Sequence, residues 1–285
     1  MTLHRSRRAF ACHYCGHQKA AMSSCDTCGE KAIQALGIGT EKLEQIVKQL
    51  FPTARVARMD RDTISRRGAL IQLLQNLHAQ KIDILVGTQM VAKGHDYPGI
   101  TLVGIICADQ SLDFPDFRAG ERTFQMLVQV SGRAGRGTRS GEVILQTYNP
   151  EHYTIQAART QSSQTFYKKE IHYRKALAYP PFSRLALVLV TAMHLDKANA
   201  GVHLLFEKAK TMRQTSNEYR SIVLLGPAEA PIFRISGRYR YQILLKAPTT
   251  TLRHQFLKAW LFDREPPIKE TAIKIQVDID PYTML

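Results

Sequence analysis

Two groups of residues in this sequence have the types and spacing to do chemistry. The first is Gln129-Val-Ser-Gly132-Arg133-Ala-Gly135-Arg136-Gly137. Two guanidinium groups three residues apart, in a stretch broken by glycines, form a pliable fork of hydrogen-bond donors. Such a fork suits the charge on a phosphoryl group in transfer, where an arginine finger contributes roughly 10³–10⁵ in rate. The plainer alternative is a basic Gly-rich turn with no ligand. The second group is two cysteine pairs, Cys12-His-Tyr-Cys15 and Cys25-Asp-Thr-Cys28. In a reducing compartment, doubled C-x-x-C pairs point to a metal rather than to a disulfide framework. A two-residue spacer in a turn lets both thiolates reach one Zn²⁺ at about 2.3 Å, and two such turns complete a tetrahedron. Gly16 and Gly29, one after each pair, permit a positive φ beneath the metal. His13 and His17 are read as neighbours rather than ligands, and Cys107, in an apolar strand, as an inert core cysteine.

Two further stretches place polar groups where ligands bind. Gly87-Thr88-Gln89-Met90-Val91-Ala92-Lys93-Gly94-His95-Asp96-Tyr97-Pro98 follows the apolar run Ile82–Val86. A strand followed by a Thr-bearing turn and a Gly-x-Asp bend puts those groups at the carboxyl edge of a sheet, the ligand-binding edge of α/β folds. Arg238-Tyr239-Arg240-Tyr241-Gln242 leads into the strand Ile243–Lys246. With period two, its arginines share one face and its tyrosines the other. Interleaved arginine and tyrosine suit the phosphates and stacked bases of single-stranded DNA, and suit an acidic peptide tail equally well. The structural alternative is tyrosines in the core with solvated arginines.

The elements that must position these residues alternate from residue 37 onward. Leu43, Ile46, Val47, Leu50 and Phe51 fall on one helical stripe, stopped by Pro52, with Thr40 as N-cap and Glu41 and Glu44 near the positive end of the dipole. Val56–Met59 reads as a strand, Leu70, Leu73, Leu74 and Leu77 as a helix face, Ile82–Val86 and Thr101–Ala108 as strands, Ala119–Val130 as a helix and Glu142–Gln146 as a strand. Apolar strands alternating with helices argue a parallel sheet covered on both faces. A polar, helix-compatible stretch, 151–178, ends at Tyr179-Pro180-Pro181. Beyond it the order is strand (Arg184–Thr191), helix (Asp196–Gln214), strands (Ile222–Leu225, Tyr241–Lys246), helix (Thr249–Phe262) and strand (Lys274–Asp278). That is a split βαβ, ferredoxin-like α+β arrangement. The expected domains are a partial zinc module (1–36), an α/β lobe (37–150), a helical linker (151–180) and an α+β domain (181–285).

Composition excludes several classes. Lys plus Arg (39) against Asp plus Glu (24) leaves +15, which favours an anionic partner, nucleic acid first. The apolar runs Ile100–Ala108 and Leu185–Met193 are too short for roughly 30 Å of hydrocarbon, and the opening residues hold no signal-peptide core. The expected compartment is the cytoplasm, with no membrane partner.

Thr88-x5-Gly94-x-Asp96, followed 33 residues later by Gln129-x-x-Gly-Arg-x-Gly-Arg136, resembles motifs V and VI of superfamily-2 helicases. The whole chain resembles the C-terminal half of the PriA family of primosomal replication-restart helicases (primosomal protein N′). The residues that carry this are Leu36-Gly-Ile-Gly-Thr-Glu41, Met59-Asp-Arg-Asp62, Gly87-Thr-Gln-Met90, Pro115-Asp-Phe-Arg-Ala119 with Glu121-Arg122, Tyr179-Pro-Pro-Phe182, Gly226-Pro227 with Ala230-Pro231, Arg238-Tyr-Arg-Tyr-Gln242 and Asp278-Ile-Asp-Pro281. The resemblance implies a second RecA-like lobe of an ATP-dependent 3′–5′ DNA helicase that restarts stalled forks and assembles the primosome. It implies that Arg133 and Arg136 face the γ-phosphate of ATP, that Gln129, Gly94 and Asp96 couple nucleotide state to lobe closure, and that Thr40, Thr88 and Gln89 hold the DNA backbone. It further implies a C-terminal domain that binds DNA, through Arg238, Tyr239, Arg240 and Tyr241. The same domain would bind the acidic tail of single-strand DNA-binding protein, through Arg238 and Gln242, and other primosome proteins are implied as partners. Asp60 and Asp62, at a strand end, are read as capping a turn.

Two departures limit what carries over. The sequence holds no G-x-x-x-x-G-K-[ST] and no D-E-x-H, the first-lobe parts that cradle the phosphates and Mg²⁺. ATP and Mg²⁺ are therefore expected only in a complete two-lobe molecule, and the chain alone is expected to be inactive as an ATPase. The family carries four cysteine pairs in two interleaved zinc sites, whereas this sequence has two pairs. Cys12, Cys15, Cys25 and Cys28 either close on one Zn²⁺ or remain half-sites. Both departures fit a sequence that starts in mid-protein. The alternative function is a non-enzymatic, zinc-containing adaptor that binds DNA and protein.

Overall fold

A computed structural model describes residues 2–4, 9–12, 17–20, 24, 28–30, 39–60, 62–64, 68–88, 91, 99–132, 134, 140–262 and 272–284. The chain divides into two compact units, one of Gln34–Phe114 and Arg118–Lys168, the other of Met1–Ile33, Pro115–Phe117 and Lys169–Leu285. Near the start, β1 (Thr2–His4), β2 (Ala9–Ala11) and β3 (Gln18–Ala20) form a three-stranded antiparallel sheet in that order.

The first unit is built on two parallel strand pairs. Helix α1 (Thr40–Leu50) precedes β4 (Val56–Met59), and α2 (Ala69–His78) crosses from β4 to its parallel neighbour β5 (Ile84–Gly87). Leu43, Ile46 and Val47 are half-buried where α1 packs on β4 and β5, whereas Leu50 and Phe51, at the end of the expected stripe, are exposed. Thr40 is not the N-cap. Gly39 takes that place in extended backbone, so Thr40 is already the first helical residue, and its hydroxyl donates to Asp60 Oδ2 at 2.8 Å. The second pair is β6 (Leu102–Ile105) with β7 (Glu142–Leu145), joined by α3 (Asp109–Leu112) and α4 (Ala119–Ser131). β6 is shorter than expected, so Cys107 lies beyond the strand, half-buried at φ +54°, where the chain turns into α3. Two helices occupy the expected linker, α5 (Tyr153–Arg159) and α6 (Ser163–Ala176). Ile155, Ala157 and Ala158 of α5 share a core with Phe124 and Leu127 of α4 and with Phe166, which stacks on Phe124 at 4.5 Å.

The C-terminal unit runs β8 (Arg184–Ala192), α7 (Leu195–Thr215), β9 (Val223–Ile235), β10 (Arg238–Ala247), α8 (Thr250–Leu261) and β11 (Ile273–Ile279). Its sheet order is β11-β8-β10-β9, with every neighbour antiparallel. That is the split βαβ arrangement. β9 is far longer than the expected Ile222–Leu225, because it absorbs Gly226-Pro227 at an irregularity in its pairing with β10 rather than ending there. It lies at the sheet edge, where proline removes no needed ladder bond. Val202 and Leu205 of α7 and Phe256, Leu257 and Trp260 of α8 pack on Val188, Val190, Ile243 and Leu245. Trp260 Nε1 donates to the Leu205 carbonyl at 3.0 Å. A second cluster gathers Leu185, Leu187 and Leu244 with Tyr179, Met284, Leu225 and Phe117. Arg253, 2% exposed on α8, pairs with Asp280 at 2.6 Å and donates to the Leu185 carbonyl at 3.0 Å.

Candidate nucleic-acid and nucleotide site

β4 and β5 end in register, Met59 opposite Gly87, so the residues that follow them, Asp60 and Thr88, leave from the same carboxyl rim. Asp60 is buried and organises that rim. Its Oδ1 accepts from the Thr63 amide at 3.0 Å, and its Oδ2 accepts from the Thr40 hydroxyl. Arg58 lies 3.3 Å from both Asp60 and Glu44. The Thr63 amide, helped by the Thr40 and Thr63 hydroxyls and by Arg58, outweighs burial and holds the Asp60 carboxyl below its ordinary range. The turn-capping role expected of Asp60 is thus present. Its second bond, which brings the start of α1 to the rim beside exposed Thr88, was not foreseen. Gly87 is forced by this closeness: an added Cβ would meet the Met59 carbonyl oxygen at 2.5 Å and the Val91 side chain.

At the corresponding rim of β6 and β7, Asp109 fixes the connection after β7. It accepts from Thr147 Oγ1 at 2.8 Å and from the amides of Tyr148 (3.0 Å) and Asn149 (3.2 Å). Burial would raise its carboxyl, but these donors more than offset it and the balance is a lowered pKa. Sequence reasoning missed Asp109, whose one local signal is an acidic residue just past an apolar strand. Gln129 is exposed on α4, one turn before Gly132. Gln89, Gly94, Asp96, Arg133 and Arg136 lie outside the described residues.

In the C-terminal unit, Arg238 and Arg240 are half-buried and direct donors at backbone. Arg238 Nη2 reaches the carbonyls of Thr191 (3.1 Å) and Ala272 (3.2 Å), and Arg240 Nη1 that of Ile232 (3.0 Å). Burial lowers the Arg240 pKa. Gln242 is buried. Tyr241 packs against the helix-side core and, edge-on, against Phe233, while Tyr239 carries the Arg234 guanidinium 4.8 Å from its ring. β10 therefore has the expected period, with Tyr241 in the structural rather than the base-stacking position.

Of the four paired thiols, Cys12 and Cys28 are described, and Cys15 and Cys25 lie outside. The Cys12 amide donates to the His17 carbonyl at 2.9 Å, and Gly29, after Cys28, has φ +75°. Among the described residues no group of three or more potential metal ligands gathers.

Comparison with known proteins gives this geometry its class. Residues 32–138 match the family model of the helicase conserved C-terminal domain, and residues 175–282 that of the primosomal protein N C-terminal domain. The chain is therefore a RecA-like helicase lobe with parallel strand pairs, followed by a C-terminal domain of the primosomal type. The similarity extends over all of it. Replication restart protein PriA of Bacillus subtilis (strain 168) is 43% identical over 287 residues, covering 100% of this chain and 35% of that protein. Replication restart protein PriA of Treponema pallidum is 39% identical over 285 residues, 100% of this chain and 42% of the relative. That of Haemophilus influenzae is 37% identical over 283 residues, 99% and 38%. The chain belongs to the PriA family, with the sequence of its C-terminal part, and spans 35–42% of the length of these relatives.

Proposed function

We infer that this chain supplies the C-terminal part of an ATP-dependent 3′–5′ DNA helicase that restarts stalled replication forks and assembles the primosome, working in the cytoplasm. The full-length similarity to replication restart proteins carries this reading. In a complete molecule two lobes close on ATP around one DNA strand. Thr40 and Thr88, at the β4–β5 rim, and Gln89 hold its backbone. Arg133 and Arg136 meet the triphosphate charge, and Gln129, Gly94 and Asp96 link nucleotide state to closure. The rim supports the first of these roles, since Asp60 seats the start of α1 beside Thr88. Arg238, Tyr239 and Arg240 belong to a DNA-binding surface, with Arg238 serving the acidic tail of single-strand DNA-binding protein. Cys12, Cys15, Cys25 and Cys28 hold zinc as thiolates. Bound Zn²⁺ would supply a structural cross-link between the two pairs. The boundaries 1–36, 37–150, 151–180 and 181–285 describe these roles.

The sequence contains no phosphate-cradling G-x-x-x-x-G-K-[ST], so the first lobe must come from elsewhere. The chain is to be mixed with a separately produced first lobe. DNA-stimulated ATPase that appears in the mixture and is lost with Arg136→Ala supports the motor. No activity at any ratio leaves the adaptor reading in its place.

A further inference from the structure

The two edges of the C-terminal sheet, β9 and β11, are built differently. β9 carries Pro227 and Pro231, and two irregularities break its pairing with β10. Prolines and bulges are the means by which an edge strand is made unfit for further pairing. β11, Ile273-Lys-Ile-Gln-Val-Asp-Ile279, has neither, and its register against β8 runs unbroken over seven residues. Among the described residues no strand pairs with its outer side.

The backbone phase of that edge is set by its last contact. The Asp280 amide donates to the Leu185 carbonyl at 3.0 Å, and the Leu185 amide returns a bond to Asp280 Oδ1 at 3.2 Å. Hydrogen-bonded pairs alternate along an antiparallel ladder, so Lys274, Gln276 and Asp278 also direct their backbone groups at β8. The N–H and C=O groups of Ile273, Ile275, Val277 and Ile279 therefore point outward. Side chains divide by the same parity. Ile273, Ile275 and Val277 pack on the helix-side core, while Lys274, Gln276 and Asp278 are exposed on the other face.

This strand is complementary to itself in reverse. A two-fold axis at Gln276 sets Ile273 opposite Ile279 and Ile275 opposite Val277, so each outward N–H meets an outward C=O. Lys274 of each copy then faces Asp278 of the other. Both pairs fall at non-hydrogen-bonded positions, where side chains are closest and opposite charges attract. Ile279, 40% exposed, gains the other copy's Ile273 as an apolar neighbour. A slip of two residues either way separates each lysine from its aspartate. We propose that β11 is a dimerisation edge whose occupant is β11 of a second copy of this chain, joining their sheets into one. The proposal goes beyond the motor reading and does not rest on it.

Sedimentation of the 285-residue chain tests it, with the two exposed charges as handles. The average mass should rise from one chain towards two between about 1 and about 100 µM. Lys274→Asp sets aspartate against aspartate at both positions of the pair, and Asp278→Lys sets lysine against lysine. Each should weaken self-association by about ten-fold or more. Mixed in equal amounts, the two variants oppose lysine to aspartate at both positions and should associate within about three-fold of wild type. The double variant Lys274→Asp/Asp278→Lys restores both pairs within one chain and should dimerise as wild type does. None of these substitutions touches the core. Three results would each overturn the proposal: a wild type that stays a single chain at about 100 µM, single variants that associate as tightly as wild type, or a mixture and double variant that do not recover. The first would leave this edge to a strand from a different protein.

Discussion

Asp280→Asn isolates the value of a buried charge partner. Arg253 is 2% exposed and its Nη1 lies 2.6 Å from Asp280 Oδ2, while the Asp280 side chain is 50% exposed. Asp280 also accepts from the Leu185 amide at 3.2 Å and sits at φ +49°, a backbone conformation that asparagine tolerates better than alanine. The substitution therefore preserves shape, backbone and one acceptor and removes the charge. Two unit charges at about 4 Å attract by about 4 kcal/mol at an effective dielectric of about 20. Orphaning a fully buried partner costs about 3–5 kcal/mol. Because one member faces water, and because Arg253 keeps the Leu185 carbonyl, the expected loss is reduced to about 2 kcal/mol. The single tryptophan, fully buried Trp260, reports unfolding of this unit alone. With a urea slope of about 1.5 kcal/mol/M, the midpoint should fall by about 1.3 M. Burial works against the Asp280 carboxylate, yet the bonds from Arg253 and Leu185 still leave its pKa lowered. The contribution is therefore present above the unfolded carboxylate value, near 4, and fades as pH falls through the lower folded value. Wild type and variant should converge in acid. A midpoint shift under about 0.3 M at pH 7, or a gap that persists at low pH, would refute this account.

Lys246 makes the opposite prediction in alkali. Burial pushes it down to about 8 from 10.5, so the folded chain sheds this proton before the unfolded chain does. Stability is flat below pH 8 and rises between 8 and 10.5; a drop of that size corresponds to about 3 kcal/mol, reduced by the Leu177 carbonyl and Tyr179 ring that favour the ammonium. The urea midpoint should climb between about pH 8 and 10.5 in wild type and stay level in Lys246→Met. Gly226→Ala places a Cβ at φ +117° and 2.9 Å from the Gln242 carbonyl oxygen, so a loss of about 2–3 kcal/mol is expected in the same assay. For the metal, mild thiol modification of purified chain should release about one zinc per chain if the two cysteine pairs close on one ion; none released would leave them as half-sites.

Local periodicity was enough for the helices. The stripe Leu43, Ile46, Val47 predicts α1 because residues three and four apart must share a face, whatever they meet. Likewise β8 and β10 follow from apolar and alternating runs, and the doubled cysteines and the glycine-spaced arginines were visible because their spacing is itself the signal. What sequence could not settle is whatever depends on partners distant along the chain. Thr40 looks like a helix cap until the helix is seen to start one residue earlier than expected and the Thr40 hydroxyl to donate to Asp60, twenty residues on. Gly226-Pro227 looks like a strand end until the edge position of β9 makes it tolerable. Arg238 and Arg240 look solvated until folding brings the carbonyls of Thr191 and Ile232 within reach. Residue types and short spacings determined the elements and the class of chemistry. Tertiary structure alone decided which donor meets which acceptor, because a hydrogen bond or stack between remote residues leaves no periodic trace in the chain.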